Sequence, residues 1–290
     1  MAGFRLDYSK LLGLGFRIKD RQLVALLNEV KGEASCGHFI SAHSLRISRN
    51  TLSSWLRCEY GIPIDEAVRI IGRERFYKLR VTRLYSGKAA GHCCATLPVA
   101  PSLPLMFLVG ATIGDGSLRH APGESYFISY EMADRSILKL IERAFSHVFL
   151  VSRKIKRIKR SDGRRSYLLK YSNKAIYYFF NRFFGLGPRK AHTVGLSEFD
   201  GLTRNQKLAL LLGLFHTDGS LTKKYLRFYT SSRTMKNDLE SALAGLGYCT
   251  SIYSYRRKQY SPEYQISVLG REKFHAELVA VETELIHLLI

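Results

Sequence analysis

Two stretches of this 290-residue chain nearly coincide, and each ends on a carboxylate. Leu108-Val-Gly110-Ala-Thr-Ile-Gly114-Asp115-Gly116-Ser-Leu118 is matched by Leu211-Leu-Gly213-Leu-Phe-His216-Thr217-Asp218-Gly219-Ser-Leu221, with Asp218 lying 103 residues after Asp115. In both, a mostly apolar run leads straight into Asp-Gly-Ser-Leu, which reads as a buried helix stopped by glycine and followed by a strand. Each aspartate therefore stands at a helix C-terminus, where the backbone already carries partial negative charge. Carboxylates in such a place, if brought together, repel unless a cation sits between them. Hard divalent cations with oxygen ligands suit that demand. Gly110 and Gly114 are four residues apart and share one helix face, as do Gly213 and Thr217, so a neighbouring backbone could come close on that side.

The residues after each motif repeat as well. Tyr126 to Tyr130 and Tyr225 to Thr230 read as strands, and Arg135 to Val148 and Thr234 to Leu246 as helices. Next come paired strands, Val151 to Arg160 with Arg164 to Tyr171, and Thr250 to Lys258 with Tyr264 to Leu269. Asn173 to Phe184 and Arg271 to Leu289 close the copies as helices. Each unit thus reads α-β-β-α-β-β-α, and two such units should pair through pseudo-two-fold symmetry.

This doubled motif and element order resemble the LAGLIDADG homing endonucleases, over roughly residues 101 to 290. The resemblance implies an α+β fold in which two pseudo-symmetric repeats form a DNA-binding saddle, with domains at 1–98, 99–197 and 198–290. It also implies that the motif helices pack together and bring Asp115 and Asp218 side by side to hold Mg²⁺ or Mn²⁺, with the adjoining Gly114 and Thr217 in the metal set. The activity implied is cleavage of both strands of a long duplex site. The family's basic residue falls near Lys190, with Arg189 the near alternative. The second copy departs from the pattern, since it ends in Leu288-Leu289-Ile290, and Lys273 or Lys258 would have to substitute. The family's polar position after the second strand falls near Glu131 and Ser231. His216 is a candidate ligand or base, although a lone histidine on an apolar helix is more often a packed core residue.

Charge agrees with a nucleic-acid partner. Lys and Arg number 45 against 24 Asp and Glu, a formal +21, so a polyanion is expected. The cations gather on hairpins: Arg153, Lys154, Lys156, Arg157, Lys159, Arg160, Arg164, Arg165 and Lys170 surround a single acid, Asp162. The matching second hairpin carries Tyr253-Ser-Tyr255-Arg256-Arg257-Lys258-Gln259-Tyr260. Charged hairpins are often merely solvated, but the same bias at both places favours phosphate and base contact.

The first hundred residues lack the motif and read as a small helical unit. Asp20 to Val30 is an amphipathic helix and Ile64 to Ile71 another. Between them Ala42, Leu45, Ile47, Leu52 and Trp55 have helix-turn-helix spacing, with Ser48 capping the second helix. That helix would present Arg49, Asn50, Ser53 and Ser54 to a major groove. Arg46 occupies the turn position that prefers glycine, and Gly87 to Pro104 reads as a linker.

Five cysteines without a CxxC pair argue against a disulfide framework, and Cys36-Gly-His38 and His92-Cys93-Cys94 are poor zinc sites. With no long apolar run or leader, and no splicing residues such as a terminal His-Asn, a cytoplasmic, free-standing or intron-encoded monomer is expected. Double-stranded DNA is the partner expected first. Structured intron RNA, handled by a maturase, and a non-catalytic transcriptional regulator on the same fold are the rival readings.

Overall fold

The computed structural model describes residues 8–79, 83–85, 95–120, 126–159, 163–188, 194–196, 201–255 and 262–290. A 3₁₀ turn (Tyr8–Leu11) and strand β1 (Arg17–Ile18) lead into helix α1 (Arg21–Lys31). Asp20 opens α1, its carboxylate accepting from the Leu23 amide at 2.9 Å, which satisfies one orphan donor of the first turn. Then come α2 (Cys36–Ala42) and α3 (Arg49–Leu56), joined through residues 43–48. Ser48 caps α3 by accepting from the Thr51 amide at 3.1 Å, and Leu52 and Trp55 are buried. Two details differ from expectation. The left-handed residue of the turn is Ser44, at φ 51°, rather than Arg46, and Ser54 is buried rather than presented.

Strand β2 (Ile62–Pro63), α4 (Ile64–Ile71), α5 (Arg73–Lys78), β3 (Arg83–Tyr85) and β4 (Ala95–Thr96) complete this unit. It is therefore not purely helical, because its four short strands form an antiparallel sheet in the order β2-β1-β3-β4. Strands of two or three residues carry too little alternation to be read from sequence. The expected linker is also corrected: it contains β4, and Ala95 and Leu97 are buried, so apolar side chains dock its described part.

The first repeat begins where the Ser102 hydroxyl accepts from the Leu105 amide to start α6 (Leu103–Ile113). It continues through β5 (Ser117–Arg119), β6 (Phe127–Met132), α7 (Arg135–Phe149), β7 (Lys156–Lys159), β8 (Arg165–Ser172) and α8 (Lys174–Phe184). The second repeat runs α9 (Arg204–Asp218), β9 (Gly219–Leu221), β10 (Leu226–Thr230), α10 (Arg233–Gly245), β11 (Thr250–Tyr255), β12 (Glu263–Val268) and α11 (Arg271–Leu288). Both repeats keep the expected α-β-β-α-β-β-α order. Their antiparallel sheets have matching strand orders, β5-β6-β8-β7 and β9-β10-β12-β11.

Alternation along the strands gives each sheet one apolar face. In the first, Ile128, Tyr130, Leu169 and Tyr171 are buried against α7 and α8, with Tyr171 stacked on Phe145 at 4.1 Å. In the second, Phe228 and Ile266 are buried along with Leu239 of α10, and Phe228 meets Phe274 of α11 edge-on at 6.3 Å. Each such buried side chain contributes roughly 1.5–3 kcal/mol from burial. Helices cover one face of each sheet, which leaves the other open. The amino-terminal unit docks on α8, where Lys174 Nζ donates to the Leu14 carbonyl at 2.7 Å and Phe16 meets Tyr178 edge-on at 6.1 Å.

Candidate active site

The motif helices α6 and α9 cross at glycines. A β-carbon on Gly110 would overlap the Leu210 carbonyl oxygen and lie 2.9 Å from the Leu214 nitrogen, while one on Gly213 would overlap the Phe107 carbonyl oxygen and lie 2.7 Å from the Ala111 nitrogen. Phe107 and Leu210, and Ala111 and Leu214, are offset mates like the two glycines. The contact is therefore reciprocal, as two-fold symmetry requires.

One turn further on, Gly114 and Thr217, also offset mates, touch each other. A β-carbon on Gly114 would overlap Thr217 Oγ1 and stand 2.6 Å from Thr217 Cβ and 3.2 Å from Asp218 Oδ2. The local two-fold axis thus passes between Gly114 and Thr217. The Asp218 carboxylate lies against the residue directly before Asp115, one Cα step of about 3.8 Å away.

The two helix ends are not identical. α6 stops at Ile113 and leaves Asp115 exposed two residues beyond, whereas α9 stays helical through a half-buried Asp218. Thr217 Oγ1 donates back to the Gly213 and Leu214 carbonyls at 3.1 and 3.0 Å.

A cleft of about 280 Å³ opens beside Asp218, and Gly114, Val194, Tyr229, Thr230, Ser231 and Glu263 are among its lining residues. Glu263 escaped the sequence reading. Its signal was the alternation of β12, where polar Glu263, Gln265 and Ser267 interleave with Tyr264 and the buried Ile266 and Val268. Ser231 does reach the cleft, but its pairing with Glu131 is corrected. Asp134 and Ser232 cap the equivalent helices α7 and α10, so counting back three residues sets Glu131 against Tyr229. Glu131 accepts from the Ser166 hydroxyl at 2.9 Å.

His216 faces away from this chemistry. Its Nε2 lies 2.9 Å from Glu282 Oε1 on α11, and its ring meets Phe107 edge-on at 6.2 Å. The His216 hydrogen bond holds the Glu282 carboxyl below the usual glutamate range against the opposing effect of burial. This is the packed, hydrogen-bonded histidine of the core reading.

The predicted cations divide by strand register, since cross-strand partners share a face. Lys170 pairs with Ser129, and Lys156 with Leu168, which itself pairs with Glu131. Lys170 and Lys156 therefore share the open face, where Lys170 Nζ sits 3.7 Å over the Phe127 ring. Arg157 and Lys159 pair with Tyr167 and Arg165, which places those two and Arg165 on the opposite side. Arg153, Lys154 and Arg164 precede the strands and are exposed. Lys190, Arg160, Arg256, Arg257 and Lys258 lie outside the described residues. In the amino-terminal unit Arg49 and Asn50 are exposed at the start of α3, with the Arg49 guanidinium lying across Gly37. Cys36, Cys58 and Cys249 are free thiols.

The LAGLIDADG-like domain matches residues 102–183 and 205–278, more than half of the chain and in the same two halves as the repeats. The chain belongs to the LAGLIDADG-like domain family. No curated protein matches it. Among solved structures, mesophilic variants of the homing endonuclease I-DmoI are similar at 20% identity over 61% of this chain and 96% of theirs, with a TM-score of 0.48. The homing endonuclease I-WcaI, bound to its DNA recognition sequence, is similar at 15% identity over 62% and 80%, with a TM-score of 0.40. The N-terminal LAGLIDADG domain of DUF199/WhiA is similar at 12% identity over 62% and 82%, with a TM-score of 0.42. This family member has no helix among its described residues that is long and apolar enough to cross a membrane.

Proposed function

We propose that this chain is a site-specific DNA endonuclease that cuts both strands of a long duplex with Mg²⁺ or Mn²⁺. The observation that carries the reading is the approach of the Asp218 carboxylate to Gly114, the residue before Asp115, where the two repeats meet. The donor set fits such an ion. Among the described residues no group of three or more His, Cys, Asp or Glu forms a cage, and Mg²⁺ is characteristically held by one or two carboxylates with phosphate oxygens and water completing the shell. Asp115, Asp218 and the Gly114 and Thr217 carbonyls would hold it. When bound, the ion supplies Lewis acidity toward a phosphoryl oxygen and an acidified water.

The protein's own groups do the rest. The glycine crossing and the close fit of Gly114 on Thr217 would hold the two motif ends together. Lys156 and Lys170 on the open face, with Arg153, Lys154 and Arg164 near the strand ends, would neutralise phosphates along the duplex, and Arg160, Arg256, Arg257 and Lys258 would do so from their places in the two hairpin sequences. Lys190 would polarise the attacking water. Residues 99–197 and 198–290 are the catalytic repeats. Residues 1–98 serve as an accessory reader, with Arg49 and Asn50 at the tip of α3 toward a major groove.

The test is to incubate the full chain and Mg²⁺ with randomised duplexes and sequence the cut ends. Paired breaks at one enriched site, lost on chelation and in Asp115→Asn and Asp218→Asn with DNA affinity retained, are expected. Wild-type cutting rates in both variants would place the chemistry elsewhere.

A further inference from the structure

The two open faces differ in chemistry. In the first sheet, polar positions are interrupted by Phe127, Leu168 and Ile158 and carry the lysines described above. In the second sheet, Arg227 pairs with Ser220 and Ser267, Tyr229 with Gln265, Gln265 with Tyr253, and Glu263 with Tyr255. Among the described residues every position of this second face carries a hydrogen-bonding group, and of these Arg227 and Glu263 are charged. Charge gives affinity for any duplex, whereas neutral donors and acceptors at base edges give sequence preference.

Several of these groups are already engaged. Arg227 Nε donates to Ser267 Oγ at 3.1 Å and its guanidinium stacks 4.1 Å from the Tyr225 ring. The Tyr229 hydroxyl lies 3.0 Å from Ser220 Oγ. Gln265 stands in the middle of the face, on a strand flanked by β10 and β11, between Tyr229 and Tyr253. It is half-buried at its base, and among the described residues its carboxamide has no hydrogen-bond partner. A carboxamide offers one acceptor and two donor protons, the complement of the adenine N6 and N7 edge in the major groove.

We propose that Gln265 is a specificity-determining residue, reading an adenine in the half-site beneath the second sheet. This rests on the duplex-binding reading above. The test is selection of bound sites from a randomised duplex pool by the full chain, by Gln265→Glu and by Gln265→Arg, with circular dichroism to verify that all three fold. At one position the wild type should prefer adenine, Gln265→Glu cytosine, through its N4 amine, and Gln265→Arg guanine, through O6 and N7. The preference should change on the order of tenfold to a hundredfold, with the remaining positions unaltered. Folded variants that both select the wild-type sequence overturn the proposal, as does a wild type that binds duplex tightly yet enriches no base there. A wild type that binds no duplex under any salt condition removes the endonuclease reading itself, which separates the two failures.

Discussion

Gly114 and Thr217 are symmetry mates that touch, because the local two-fold axis of the repeats runs between them. Only one of the pair can carry a side chain there. Gly114→Ala should therefore overpack the crossing and cost about 1–3 kcal/mol. Thr217→Ala in the same chain removes the obstructing hydroxyl and should restore part of the loss. Urea unfolding of the two single variants and the double variant measures this. An unaltered midpoint for Gly114→Ala would mean that the helices are not in contact at this level.

Strand register makes a prediction about which cations matter. Lys156 and Lys170 share the open face, so replacing either with alanine should lower DNA affinity and flatten the dependence of log affinity on log salt by about 0.9 per lost phosphate contact. Arg157→Ala and Lys159→Ala, on the other side of the hairpin, should change that slope less. Binding titrations from low to high salt decide it, and equal effects from both pairs would contradict the assigned faces.

The His216–Glu282 bond links α9 to α11, and its pH dependence has a definite sign. Because the Glu282 pKa is depressed in the folded state, the stability it supplies is present above the ordinary glutamate value of about 4.3 and is lost as pH falls through the depressed one. Glu282→Gln should be less stable than the wild type at pH 7, by less than about 1 kcal/mol since both side chains are partly exposed. The gap should close in acid. Unfolding midpoints that differ equally at pH 7 and in acid would show that the carboxylate's charge is not the cause.

Lys174 joins the amino-terminal unit to the first repeat through the Leu14 carbonyl, with its ammonium 5.3 Å from the Phe16 ring. Lys174→Met keeps the length but loses the charge-assisted bond, worth about 1.5–3 kcal/mol. Hydrogen exchange should then quicken in residues 8–18 while α6 and α9 stay protected. Unchanged protection there would assign the docking to Phe16 and its aromatic partners alone.

The sequence by itself determined the elements with long periodicity and strong ends. The repeat at an offset of 103 residues, the order of the helices and strands from Arg135 onward, and the Ser48 cap were all legible, because a cap or an amphipathic pattern is a local arrangement of residue types. So was the small-residue face of each motif helix. Only the tertiary structure decided what those faces meet. That Gly114 rests on Thr217, that α6 ends before its aspartate while α9 runs through its own, and that Glu263 enters the cleft beside Asp218 are consequences of how two helices and a sheet edge converge. No local pattern encodes that convergence. The strands β1 to β4 were illegible for a different reason: at two or three residues each, they exist because Ile18, Ile62, Leu84 and Ala95 are buried in a shared core, and such strands owe their form to tertiary packing rather than to their own propensity. The separation of Lys156 and Lys170 from Arg157 and Lys159 likewise needed the register, since a shift of one residue exchanges the two faces.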